Sequence, residues 1–299
     1  MFGLYAHQMF TSMYEFFVEP FVQFGFMRRA LVACVALGLG AGAVGLFLVL
    51  RRMTLIGDAM SHAIMPGAAL GFLLYGGVSL FAMGLGGLVA GSLVVIGSSL
   101  VNRKTKLAED ASFGAFHIAS LALGVLLISL GGSNIDLMQI LFGSILSIDN
   151  QTIMLVAGIA TFSMISLALL FRSLVMDSFD TKFLSVASGR GAVTQNLFML
   201  LVVINLVSGF EAVGTLMSVG IIIIPSITSI LWSNKISTMI IISTLNISAS
   251  TYIGLVLSYH LNIPSSSAII LVLTLFYVIS LMLTTKKNKQ TTLELNNEN

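Results

Sequence analysis

Long apolar runs dominate this chain and leave few ways for it to fold. Stretches near the ~20 residues a helix needs to cross the hydrocarbon of a bilayer lie at 30–50, 55–75, 79–101, 113–131, 152–171, 193–210, 212–232, 237–259 and 266–284. A membrane barrel would show short alternating segments instead. The pattern therefore predicts an all-α, polytopic membrane helix bundle. Nine runs are candidates, and the second contains Asp58, His62 and Pro66, so eight spans is the alternative count. Only 9% of the 299 residues are charged, against about 25% in a soluble domain. So few charges cannot cover a water-facing surface.

Lysine and arginine alternate between loops in the way that orients membrane helices. Working back from Lys286, Lys287 and Lys289, every second loop is basic: Lys235, then Lys182 and Arg190, then Arg103, Lys104 and Lys106, then Arg51 and Arg52. The loops around 76–78, 132–151, 211 and 260–265 hold neither residue. Nine spans with a cytoplasmic C-terminus fit this alternation and place the N-terminus outside; Arg28 and Arg29 are the exception. The expected organisation is an N-terminal interfacial segment at 1–27, a transmembrane domain at 28–285 and a polar cytoplasmic tail at 286–299. In the long outer loop, Leu137–Gly143 is apolar but too short to cross, and reads as a re-entrant half-helix or a loop helix packed on the bundle.

Ionisable groups at membrane depth are costly and mark function. In Gly57-Asp58-Ala59-Met60-Ser61-His62-Ala63-Ile64-Met65-Pro66-Gly67, Asp58 and His62 are four apart and share one helix face. A carboxylate oxygen and an imidazole nitrogen suit a divalent cation such as zinc or manganese, and a second copy or water would complete the shell. An Asp–His hydrogen bond stapling two helices would show the same spacing. Pro66 and Gly67 interrupt the helix, which membranes tolerate only against protein or a water-filled cavity. His117, seven residues after Asp110, is a second candidate metal ligand, with a packed core histidine as the alternative. Glu211 reads as the carboxylate opening a helix N-terminus, and His260 as a loop histidine near the outer mouth. Gly38–Gly42 and Gly67–Gly71 have the spacing of close helix contacts.

Several classes drop out. A net charge of +2 without a broad basic face excludes nucleic-acid binding. The lone Cys34 forms no intrachain disulfide and reads as a packed thiol. Met1–Phe26 has no basic residue and does not read as a secretory signal. G-x-x-x-x-G-K-[ST], H-E-x-x-H and G-x-S-x-G are all missing, which removes a P-loop, a zincin and a serine hydrolase. The chain is expected to be no enzyme, and its energy source is a partner or an ion gradient.

The run Leu50-Arg51-Arg52-Met53-Thr54-Leu55-Ile56-Gly57-Asp58-Ala59-Met60-Ser61-His62-Ala63-Ile64-Met65-Pro66-Gly67 resembles the signature of the permeases of zinc, manganese and chelated-iron ABC importers. Glu109–Gly114, Leu141–Gly143, Val213–Leu216, Ile224-Pro225 and Ser258-Tyr259 with Pro264 agree in order, so the likeness covers about 28–284. The resemblance implies a pair of permeases forming the path in the cell membrane, ATP bound on separate cytoplasmic ATPase subunits, and an extracytoplasmic metal-binding protein that delivers the cargo. It implies no permanently bound cofactor, only the transported metal in contact with Asp58 and His62. Asp180–Gly191 matches the stretch that docks on the ATPase, although Asp180-Thr181-Lys182-Phe183 departs from the family's acidic-Pro-acidic start. Ser265-Ser266-Ser267 stands where a glycine is usual, which touches the local turn. His117 resembles a histidine of some zinc-type members, so zinc is the expected cargo and manganese the other candidate. A proton-coupled secondary metal transporter using Asp58, His117 and Glu211 is the rival reading.

Overall fold

The computed structural model of the chain describes residues 14–77, 79–105, 109–130, 148–179 and 191–297, and these contain helices and no strand. A short α1 (Glu19–Gln23) leads into α2 (Gly25–Leu50), followed by α3 (Thr54–Ala63), α4 (Met65–Tyr75), α5 (Leu80–Lys104) and α6 (Glu109–Leu130). Then come α7 (Asn150–Phe179), α8 (Gly191–Val213), α9 (Thr215–Trp232), α10 (Ile236–Leu261) and α11 (Ser265–Asn297). Seven of these, α2, α5 and α7 to α11, are long and apolar enough to cross a bilayer. The molecule is an integral, multi-pass membrane protein. The expected span at 113–131 is α6, which carries a shorter apolar stretch, Ala111–Leu127. The expected span at 55–75 is two helices, α3 and α4, of 10 and 11 residues, meeting at Ile64.

Proline chemistry explains that break. Pro66 has no N–H for the carbonyl of His62, which is met instead by the N–H of Ile64. The hydroxyl of Ser120 on α6 donates to Ala63 O at 3.0 Å, so a neighbouring helix satisfies the broken turn, as the bilayer demands. Pro225 interrupts α9, and there Ser226, Thr228 and Ser229 donate to the carbonyls of Ile222, Ile224 and Ser226 at 2.7, 2.8 and 2.8 Å.

The bundle is organised around α2 and α8, each 72% buried over its apolar window. The first packs against α7, α8, α9 and α10, the second against α5, α7 and α9 as well. Both expected glycine pairs make close contacts. Gly38 and Gly42 face Ile247 and Ser243 of α10, while Gly67 and Gly71 face Gly86 and Ala82 of α5.

Several helix ends are tied together by specific bonds. Arg29 Nε donates to Ile148 O at 2.9 Å, joining the start of α2 to the start of α7. The alternation of basic loops puts both starts on one side, and Arg29 has this structural employment there. Asp149 Oδ1 accepts from Thr152 N at 2.8 Å and Thr152 Oγ1 at 2.7 Å. These two bonds hold the Asp149 carboxyl below its usual range. Between α10 and α11, Asn262 turns left-handed (φ 53°), and Ser258 Oγ bonds Ile263 O and Ser265 Oγ at 2.7 and 2.8 Å. Ser265 thus closes the turn between α10 and α11.

The segment before α2 lies against α10. Tyr252 donates to Phe17 O at 2.7 Å and stacks on Phe21 at 4.9 Å. The Leu137–Gly143 patch lies outside the described residues, as does most of the expected ATPase-docking stretch, 180–190.

Candidate functional site

The first polar residues inside the bundle follow the Arg51–Arg52 corner. Arg52 takes a left-handed conformation (φ 58°), and the Arg51 guanidinium sits over the Phe198 ring at 5.1 Å, fixing the corner to α8. From there α3 enters the bundle. Its open face carries Leu55, 80% exposed, then exposed Asp58 one turn on and half-buried His62 a turn further. A carboxylate facing lipid is costly, so this face borders water or another polypeptide. The expected sharing of one face by Asp58 and His62 is what α3 provides.

His117 comes to the same place from a different helix. It lies two turns into α6, and α6 packs along α3 and α4. The rings of His62 and His117 are 5.6 Å apart between centroids and inclined by 48°. The Nδ1 atoms of both rings are shielded from solvent and have no hydrogen-bond partner. Ser120, one turn beyond His117, makes the bond to Ala63 O, next to His62 in sequence. One hydrogen bond therefore sets the register of the two imidazoles. Asp110 falls in the first turn of α6.

Two other expected positions differ. Glu211 does not open a helix. It lies two residues before the end of α8, because the chain turns at Gly214 (φ 86°). Its carboxylate rests over Gly84 of α5, where an added Cβ would come 2.2 Å from Oε1, and neither oxygen meets a donor. His260 is occupied by the N-terminal segment: Nε2 pairs with Phe16 O at 2.9 Å, and its ring stacks on Phe16 at 4.1 Å.

Chemically, Asp58 offers a hard oxygen and the histidines borderline nitrogens, the donor types used for first-row divalent cations. No group of three or more His, Cys, Asp or Glu side chains forms a ready-made metal cage among the described residues. The alternative role for the Asp–His pair, a hydrogen bond between two helices, is not what the described residues show: both groups belong to α3, and His62 Nδ1 is unpaired.

Comparison with known proteins gives a consistent picture. The family model described as "ABC 3 transport family" matches residues 23–284. The chain is 35% identical over 273 residues to the manganese import system permease protein ScaB of Streptococcus parasanguinis, covering 91% of this chain and 96% of that one. It is 32% identical over 271 residues to the manganese transport system membrane protein MntC of Listeria monocytogenes, covering 91% and 95%. Among solved structures, PsaBC from Streptococcus pneumoniae in complex with a Fab superposes with a TM-score of 0.77 at 32% identity, covering 88% of this chain and 94% of that chain.

Proposed function

This chain belongs to the ABC 3 transport family, and on that premise we propose that it is the membrane-spanning permease of an ATP-driven divalent metal importer, with manganese as its cargo. The observation that carries the reading is the open face of α3, where exposed Asp58 and half-buried His62 stand one turn apart beside a proline-broken helix. Manganese is the metal in the names of ScaB and MntC; the zinc preference read from His117 finds no support there.

Two copies facing each other across the α3 faces would enclose the path and supply Asp58 and His62 twice. Oxygen and nitrogen donors would then replace part of the ion's hydration shell as it passes. ATP hydrolysis belongs to separate ATPase subunits, and an extracytoplasmic binding protein delivers the metal; both partners follow from the family. The break at Ile64–Pro66, braced by Ser120, gives α3 and α4 a place to move relative to each other.

The test is a pair of substitutions. His62→Ala and Asp58→Ala should each abolish manganese uptake in cells that also make the ATPase and binding protein, while the protein still inserts into the membrane in normal amounts. Uptake at the unaltered rate in either variant would remove that residue from the path.

A further inference from the structure

An Asp58–His62 contact does not by itself call for a second imidazole, yet His117 brings one to the same place. We propose that His62 and His117 of one protomer form a two-nitrogen clamp that grips zinc more firmly than manganese, so that zinc entering the path is retained there as an inhibitor. The proposal rests on Asp58 and His62 being the metal contact and names the ion that this contact refuses to pass.

The geometry is specific enough to argue from. A ring nitrogen holds zinc at about 2.0–2.1 Å, which sets the ion roughly 3.2 Å from the ring centroid. Two such rings, 5.6 Å apart between centroids, subtend about 120° at a shared ion. The tetrahedral arrangement zinc prefers would need ~5.2 Å. Neighbouring positions of an octahedral shell, the oxygen-rich geometry in which manganese is at home, would need only ~4.5–4.8 Å. The observed spacing is therefore closer to the zinc value. Neither Nδ1 is engaged elsewhere, so a lone pair can be offered without breaking a bond. The Ser120 hydroxyl, donating to Ala63 O at 3.0 Å, braces α6 against α3 beside the two rings.

Donor chemistry acts in the same direction. Zinc outranks manganese at sites of nitrogen, oxygen or sulfur, and imidazole suits zinc while carboxylate and water suit manganese. Asp58 alone with one histidine leaves an ion loosely held. A second nitrogen shifts the balance towards retention, and an ion that binds tightly does not leave.

Two readouts test the clamp. Purified permease in lipid nanodiscs is loaded with zinc alone, and X-ray absorption counts the imidazoles around the ion. Two are expected for the unaltered protein and one for His117→Gln. In proteoliposomes with the ATPase and binding protein, the zinc concentration that half-inhibits manganese uptake is divided by the KM for manganese. That ratio should rise about tenfold or more in His117→Gln. A count that stays at two, as when His62 from both copies holds the ion, overturns the proposal, and so does an unmoved ratio. Absence of manganese uptake by the unaltered protein would count against the transport reading instead, because the imidazole count is read without transport.

Discussion

Replacing Gly67 by alanine places a single methyl group where the structure has no room for it. The new Cβ would lie 1.9 Å from Gly86 O and 2.7 Å from Ala90 Cβ. The nearer of these is about 1.5 Å short of an ordinary 3.4 Å contact. The obstacle is backbone, so it cannot rotate away. Gly86 meets the carbonyl of Gly67 in the same manner at 2.0 Å, and so α4 and α5 must separate along the seam. Overpacking of this kind costs about 1–3 kcal/mol or more, and a gap of even 0.5–1 Å forfeits roughly a quarter to a half of the dispersion across it. At ~2–4 °C per kcal/mol for a chain of this size, the midpoint of thermal unfolding should fall by about 3–10 °C. The assay is loss of the monodisperse peak in size-exclusion chromatography after heating in detergent. Gly158→Ala in α7 is the control: an added Cβ there meets nothing within 4 Å, and the helix gains about 0.5–1 kcal/mol by losing a glycine. If Gly67→Ala and Gly158→Ala melt together, the seam is not packed as described and the argument from close approach fails.

Three further outcomes follow from bonds at the helix ends. Asp149→Ala removes the side chain that accepts both Thr152 donors and should weaken the first turn of α7 by about 1 kcal/mol, read as faster amide exchange at residues 150–153. The Asp149 carboxyl is held below its usual range, so its contribution is complete above the ordinary carboxylate value and disappears as pH falls through the depressed one; the protection factors of that turn, with the intrinsic pH dependence of exchange divided out, should fall in acid and hold in base. Tyr252→Phe combined with His260→Ala removes the donor to Phe17 O and the partner of Phe16 O. Amide exchange across residues 14–18 should then approach that of free chain, and protection at the unaltered level would show that stacking on Phe21 alone holds the segment.

Much of the architecture was legible because a bilayer imposes a length and a polarity on every span. The nine runs reappear as helices, seven of them long enough to cross, the break at Pro66 and the two glycine pairs reappear as well, and Asp58 with His62 on one face needs only the 3.6-residue period. What the sequence could not disclose is which helix lies beside which. His62 and His117 are 55 residues apart in the chain, and their pairing depends on α6 lying along α3. Glu211 was misplaced for a related reason. A carboxylate beside a loop favours a helix N-terminus in general, but the turn belongs to Gly214 at φ 86°, and Gly84 on a different helix makes the seat for the side chain. His260 looked free because its partner, the carbonyl of Phe16, lies 244 positions away. The zinc expectation rested on His117, a single residue whose chemistry fits zinc, and it finds no support among relatives that carry manganese in their names.

On the proposed function, this chain forms the path of an ATP-driven manganese importer. The most direct test is manganese uptake into proteoliposomes holding the permease with its ATPase, with the binding protein outside, compared with and without ATP and with an uncoupler. The expected uptake requires ATP, is indifferent to the uncoupler and vanishes in His62→Ala. Uptake that proceeds without the ATPase and collapses with the uncoupler would contradict it and establish a proton-coupled carrier.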